Sequence, residues 1–282
     1  MLVKFPLFII ILFVLSSCTK DKLALSELVS TENPVFTLLH VSHTRTEFTH
    51  DIPFSLFEIN YDSYDLLCLG GDIDQNTSSS DSTMQLWNDL FDFKNPNTLW
   101  SIGNHDTNDR ALIRKYTERP SFYSWSNDFL TVVVLDTELA SGNILDEQLN
   151  LLQSVADTLS SERSLIILTH KLIWMPGHPE LEPIIDDTAN GKFGNCDYCT
   201  SPNNFYQDVY PILVDARDKG VTVICLAGDL GFRVNQFEFL TTDDIFFLAS
   251  GIDYRREDNK YLIFEGNKEE NYILRWRYEA LE

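Results

Sequence analysis

Five short apolar runs in this chain each stop at a cluster of polar side chains. Residues 35–41 end at Ser42, His43, Thr44 and Arg45; residues 66–69 end at Gly70, Gly71 and Asp72. Residues 98–102 end at Gly103, Asn104, His105 and Asp106; residues 165–168 at Thr169, His170 and Lys171; residues 222–227 at Gly228, Asp229, Leu230 and Gly231. Apolar runs this short, bounded by turn formers, read as buried strands. Glycine at three of the five ends lets backbone approach closely. An imidazole, an amide and carboxylates left at strand ends are costly to desolvate unless something pairs with them, and a phosphate, a metal ion or both would do so.

The rest of the chain fits that frame. Residues 130–135 form another strand, and past Gly228 the pattern turns to strands at 237–240, 245–249, 261–265 and 272–276. Leu149, Leu152, Val155, Ala156 and Leu159 fall at helical spacing and predict a helix over 146–159, capped by Asp146; a second helix over 206–219 stops at Gly220. Alternating strand and helix with a β-rich end predicts an α/β protein with a mixed sheet or two stacked sheets. In such folds ligands gather at the carboxyl ends of the strands. Residues 174–205 form a long stretch rich in turn formers, of the kind that is often functional.

The N-terminus reads as an export signal. Lys4 precedes an apolar run over 5–15 that is too short to span a bilayer but suits a signal h-region. It ends in Leu15, Ser16, Ser17 and Cys18, which resembles a bacterial lipobox, the alternative being an ordinary cleaved signal with an incidental cysteine. The expectation is a signal peptide over 1–17, a lipid-modified Cys18, a polar tether over 18–33 and one domain over 34–282. That places the protein in a bacterial cell envelope, anchored to membrane on the periplasmic face or at the cell surface. With 21 basic against 43 acidic residues the chain carries a net charge of −22, which repels nucleic acid and argues against a reader of phosphate backbones. A phosphate-bearing substrate therefore needs a local positive site. Cys68 and Cys225 sit in apolar runs as buried thiols; Cys196 and Cys199, in a polar loop, form a disulfide or stay free rather than hold a metal.

Taken in order, the five strand ends resemble the motifs of the calcineurin-like metallophosphoesterases: Asp-x-His, Gly-Asp-x-x-Asp/Asn, Gly-Asn-His-Asp/Glu, a lone strand-end His, and Gly-His-x-His. The resemblance covers nearly all of 35–278 and is carried most strongly by "GNHD" and "LTH". It implies a four-layer α-β-β-α sandwich with two metal ions over the strand ends. The first and last motifs depart. His43 stands at the family's aspartate and Arg45 at its histidine; Asp229 and Gly231 stand at the two histidines of the last motif; Gln75 replaces a carboxylate or amide. Arg45 has no lone pair to give and Gly231 no side chain.

The resemblance therefore implies one divalent ion, Mn, Fe or Zn, held by Asp72, Asn104, His170 and Asp229. His43 is either a further ligand or a donor to substrate, and Arg45 clamps phosphate in the space of the lost ion. His105 takes the place of the general acid, with Asp106 orienting its ring. The expected function is metal-dependent hydrolysis of a phosphomonoester or phosphodiester; the alternative is a catalytically degenerate lipoprotein that binds or supports. Of the remaining residues, His178 reads as a turn residue, Lys171 as solvent-facing, His40 and His50 as structural. Arg255 and Arg256 are expected to pair with Glu257 and Asp258.

Overall fold

The computed structural model describes residues 36–47, 49–194, 199–266 and 274–281. The signal segment, Cys18, the tether and Cys196 lie outside them. Among the described residues no helix is long and apolar enough to cross a membrane.

The strands are β1 (Phe36–Val41), β2 (Leu66–Leu69), β3 (Thr98–Trp100), β4 (Tyr123–Ser126), β5 (Leu130–Val134), β6 (Ser164–Thr169), β7 (Thr222–Ala227), β8 (Gln236–Leu240), β9 (Phe246–Ser250), β10 (Lys260–Gly266) and β11 (Leu274–Ala280). They form one sheet in the order β11-β10-β1-β2-β3 and another in the order β4-β5-β6-β7-β9-β8. Strands β1, β2 and β3 run parallel, as do β5, β6, β7 and β9.

Period-two alternation explains why these runs carry apolar residues on both sides. Leu38, Leu66, Cys68 and Leu99 of the first sheet face Val132, Val134, Ile166 and Leu168 of the second, filling the space between the sheets. Their neighbours Leu39, Leu67, Leu69 and Trp100 turn outward beneath α1 (Asp81–Phe91) and α2 (Arg110–Thr117). Val133, Leu165, Ile167 and Val223 turn outward beneath α3 (Asp146–Thr158) and α5 (Tyr210–Asp218). The result is the four-layer α-β-β-α sandwich.

Several elements differ from the sequence reading. Helices α1 and α2 and edge strand β4 were not marked by the apolar pattern. In α1 the buried residues are only Thr83, Met84, Trp87 and Phe91; Ser80 caps it, its Oγ accepting from Thr83 N at 3.1 Å. The residue before α3 that occupies the cap is Leu145, not Asp146. The helix expected from 206 opens with a π turn, Phe205–Val209, and takes α register only from Tyr210. Pro211 has no N–H to donate back to residue 207, so the α ladder cannot run through that point. The described residues of the 174–205 stretch contain the short helix α4 (Ile185–Thr188) and bury Trp174, Met175, Leu181 and Ile185 in the outer core of the second sheet. Cys199 is disulfide-bonded, whereas Cys68 and Cys225 are free and buried.

His40 in β1 is fully buried; its Nδ1 lies 2.8 Å from Ser250 Oγ, and its Nε2 has no partner. Burial lowers its pKa from 6.5 to about 3. Between those values the unfolded chain binds a proton that the folded chain refuses, so stability is lost as pH falls below 6.5, by up to about 1.4 kcal/mol per pH unit. His40→Gln should flatten the dependence of unfolding free energy on pH between 6.5 and 5, measured by urea denaturation. An unchanged slope would mean that other groups account for the acid sensitivity.

Candidate metal centre

All five polar clusters meet at the carboxyl ends of the parallel strands, around Asp72. This carboxylate is buried, 2% exposed, and its backbone is left-handed, with φ 52°; His43 shares that conformation, with φ 54°. Non-glycine residues pay for such a conformation only where surroundings fix it. Here Asp72 N donates to Asp106 Oδ2 at 2.9 Å and His43 N to the Gly71 carbonyl at 2.9 Å.

Two imidazoles face Asp72 in the same manner. His170 Nδ1 lies 2.7 Å from the Gly70 carbonyl oxygen, and His43 Nδ1 lies 2.9 Å from that of Ile252. Each carbonyl must accept, so in both rings Nδ1 carries the proton and Nε2 turns its lone pair inward. A backbone carbonyl behind Nδ1 is the arrangement that orients metal-ligating histidines. His170 Nε2 stands 3.4 Å from Asp72 Oδ1 and 4.0 Å from Asp229 Oδ1, buried, with no hydrogen-bond partner. Ligand atoms of His43, Asp72 and Asp229 all lie within 4.8 Å of one another.

The electrostatics point the same way. Burial alone would make His170 less basic, yet Asp72, Asp229 and Glu138 raise its pKa to about 9. The carboxylates around His170 favour positive charge at its Nε2, which a proton or a divalent ion supplies. Burial also opposes the charge on Asp72, but His170, His105, His43 and Arg45 together hold its carboxyl below the ordinary range. For His43 burial dominates and lowers the pKa, which keeps the ring neutral and able to ligate.

Arg45 is the neighbour that competes. Its Nε donates to His43 Nε2 at 3.2 Å and stands 3.8 Å from Asp72 Oδ2, while Nη1 donates to Gln75 Oε1. His43 Nε2 thus serves either the guanidinium or an ion. At the last motif, Gly231 does more than lack a ligand. Its φ is 124°, and a Cβ there would sit 2.6 Å from the Ile252 carbonyl oxygen. At Gly103 a Cβ would sit 2.2 Å from Asp72 Oδ1, so the "GNHD" turn closes over Asp72 only because its first residue is glycine.

Several sequence-based roles need correction. Asp106 does not orient His105. It is fully buried and accepts from the backbone N–H of Gly103 at 2.8 Å, Asp72 at 2.9 Å and Ile73 at 3.1 Å, and from the Thr77 hydroxyl. Burial and the charge of Asp72 push its pKa up to about 7, against the Thr77 hydroxyl, the Gly103 N–H and the charge of His170. Asp106 is the brace that ties two strand ends together. His105 is oriented instead by the Gln75 carbonyl, 3.0 Å from its Nδ1, with Nε2 turned towards Asp72 at 4.0 Å and a quarter of the side chain open. Asn104 is half-buried at the head of the same turn.

Lys171 is not solvent-facing: it is buried, and its Nζ meets Glu138 Oε2 at 2.8 Å. Arg255 pairs with Asp253 rather than Glu257, whereas Arg256 does pair with Asp258. His178 serves its turn, its Nδ1 accepting from Glu180 N at 3.2 Å. The Ile252, Gly70 and Gln75 carbonyls were invisible beforehand, because a backbone oxygen leaves no mark in residue type.

Two stacked mixed sheets flanked by helices, with a buried histidine and carboxylate group over the parallel strand ends, define the metallophosphoesterase fold. A dimetal phosphatase from Danio rerio shares it at a TM-score of 0.53 and 12% identity, covering 83% of this chain and 93% of that one. A phosphopantetheinyl hydrolase from Mycobacterium tuberculosis aligns over 77% of this chain and 89% of its own, with 13% identity and a TM-score of 0.42. No protein-family model and no curated protein matches the chain. At these identities the likeness is one of fold, and the chemistry rests on the side chains just described.

Proposed function

We propose that this protein hydrolyses phosphoric esters, mono- or diesters, with a single divalent ion, Mn, Fe or Zn. The observation that carries the reading is the buried, unpartnered Nε2 of His170 between Asp72 and Asp229. His170, Asp72, Asp229 and Asn104 would hold the ion, and His43 would join them when Arg45 releases it. An ion there supplies Lewis acidity towards a phosphoryl oxygen. Arg45, with 23% of its side chain exposed, offers a planar fork to the phosphate. The Gln75 carbonyl fixes His105 by Nδ1, so that in the charged ring Nε2 holds the proton for the departing oxygen.

One observation favours a noncatalytic reading: Arg45 already occupies the His43 lone pair and neutralises part of the charge around Asp72. In that case the guanidinium replaces the ion, and the scaffold binds or supports without turnover.

Metal content separates the two. Elemental analysis of protein equilibrated with Mn or Zn should give one tightly held ion per chain. At ~4 Å and an effective dielectric of about 20, even unit charges repel by roughly 4 kcal/mol, so a second cation beside Arg45 is disfavoured. Arg45→Ala should spare the ion yet weaken inorganic phosphate binding about tenfold, the scale of a charge-assisted hydrogen bond. Two tightly held ions in the wild type would overturn the single-metal reading; none would favour the noncatalytic one.

His105→Ala should slow turnover of an alkyl phosphate far more than that of 4-nitrophenyl phosphate, since only the poor leaving group needs the proton. Equal losses on both would make His105 a phosphate-positioning residue instead.

The envelope location is likewise a proposal, supported by Leu15, Ser16, Ser17 and Cys18 behind the apolar run. Wild-type protein should fractionate with membranes at the mass of a chain acylated at Cys18, and Cys18→Ala should be released or left uncleaved. A variant retained on membranes at the wild-type processed mass would refute the anchor.

A further inference from the structure

Beside the metal centre two loops are pressed together where Gly231 meets the Ile252 carbonyl. Each loop then presents an aromatic ring to solvent: Phe232, 48% exposed, and Tyr254, 43% exposed. Scattered exposed rings are ordinary on protein surfaces. These two are neither scattered nor loose. The guanidinium of Arg255 lies 4.6 Å from the Phe232 ring centre and 5.3 Å from that of Tyr254, joining them into one surface.

That surface is pinned on several sides. Phe232 N donates to Asn190 Oδ1 at 2.8 Å, Tyr254 Oη donates to Glu47, and Asp253 N donates to Asn259 Oδ1 at 2.9 Å. The charge of Arg255 is already matched, because Nε and Nη2 donate to Oδ1 and Oδ2 of buried Asp253 at 2.8 and 2.6 Å. A guanidinium whose edge is filled by a carboxylate has little left for a second phosphate; it packs on Phe232 and Tyr254, Arg233 lies 5.3 Å from the Phe232 ring centre, and the exposed parts of the two rings remain for stacking. The location also fits. The Ile252 carbonyl that orients His43 is only two residues from Tyr254, so the two Cα atoms are at most ~7 Å apart. A group esterified to a phosphate at Arg45 and the metal centre can reach it.

We propose that Phe232, Tyr254 and Arg255 form a stacking platform for a planar aromatic leaving group, so that the substrates are phosphoesters of aryl or nucleobase-bearing alcohols. The assignment deepens the phosphoesterase reading and rests on it for the phosphate end alone. The rings take the π-face of the leaving group; the matched ion pair between Arg255 and Asp253 holds the plane flat without attracting further anionic groups.

Binding to Mn-equilibrated protein, measured by calorimetry, tests it with inorganic phosphate, ribose 5-phosphate, phenyl phosphate and adenosine 5′-monophosphate. Stacking of one base is worth roughly tenfold or more in affinity. Adenosine 5′-monophosphate should therefore bind at least tenfold more tightly than ribose 5-phosphate. Phe232→Ala should remove that preference and leave inorganic phosphate unchanged. Arg255→Lys, which keeps the charge beside Asp253 but removes the plane, should reduce it in part. Phenyl phosphate matching the nucleotide would point to aryl esters; lagging behind it would point to nucleobases, and either supports the platform. Adenosine, detected by saturation-transfer NMR without metal, should bind through Phe232 as well. Equal affinities for the nucleotide and ribose 5-phosphate, or an equal loss for all four ligands in Phe232→Ala, would overturn the platform. Loss of inorganic phosphate binding alone, with Phe232-dependent adenosine binding intact, would overturn the phosphoesterase reading and leave the platform standing.

Discussion

The architecture depends on keeping the carboxylate of Asp72 ionised in a place where water cannot reach it. An isolated carboxylate there would simply take up a proton. It stays charged because β1, β3 and β6 end around it and deliver groups that lower its energy: the imidazoles of His43, His105 and His170, the guanidinium of Arg45, and the His105 N–H 2.9 Å from Oδ1. No single element supplies that environment. The sheets must pack face to face, with their parallel strands stopping together, before Asp72 is stable as an anion.

Asp106 shows how the cost is spread. It spends a buried carboxyl on the backbone of Gly103, Asp72 and Ile73, so that one strand end is held to another through three N–H groups. Burial and the neighbouring charge of Asp72 raise the pKa of Asp106, whereas the imidazoles of His170, His105 and His43 and the Arg45 guanidinium lower that of Asp72 against its burial. The pair divides its labour, one carboxyl building the turn and the other facing the site.

The strands were legible because burial on both faces forces continuous apolar runs, and the polar residues ending them stand out. Asp72, His105, His170 and Asp229 were singled out that way, and their side chains lie close together. What was not legible has physical reasons. Helix α2 buries only Ile113, Tyr116 and Thr117, too little to mark a stripe. The partner of His105 is a main-chain oxygen, which no residue type announces. Lys171 and Glu138 are distant in sequence, and their buried pairing became apparent only once β6 and the segment after β5 were side by side.

Gly231 constrains how the loops around the site can change. The Ile252 carbonyl that excludes a Cβ there is the same oxygen that holds the His43 ring by Nδ1. Any mutation adding a ligating side chain at 231 must first displace Ile252, and in doing so release His43. A substitution at 231 alone therefore cannot install a ligand there; loop 251–253 would have to shift in concert, so the two loops can change only together.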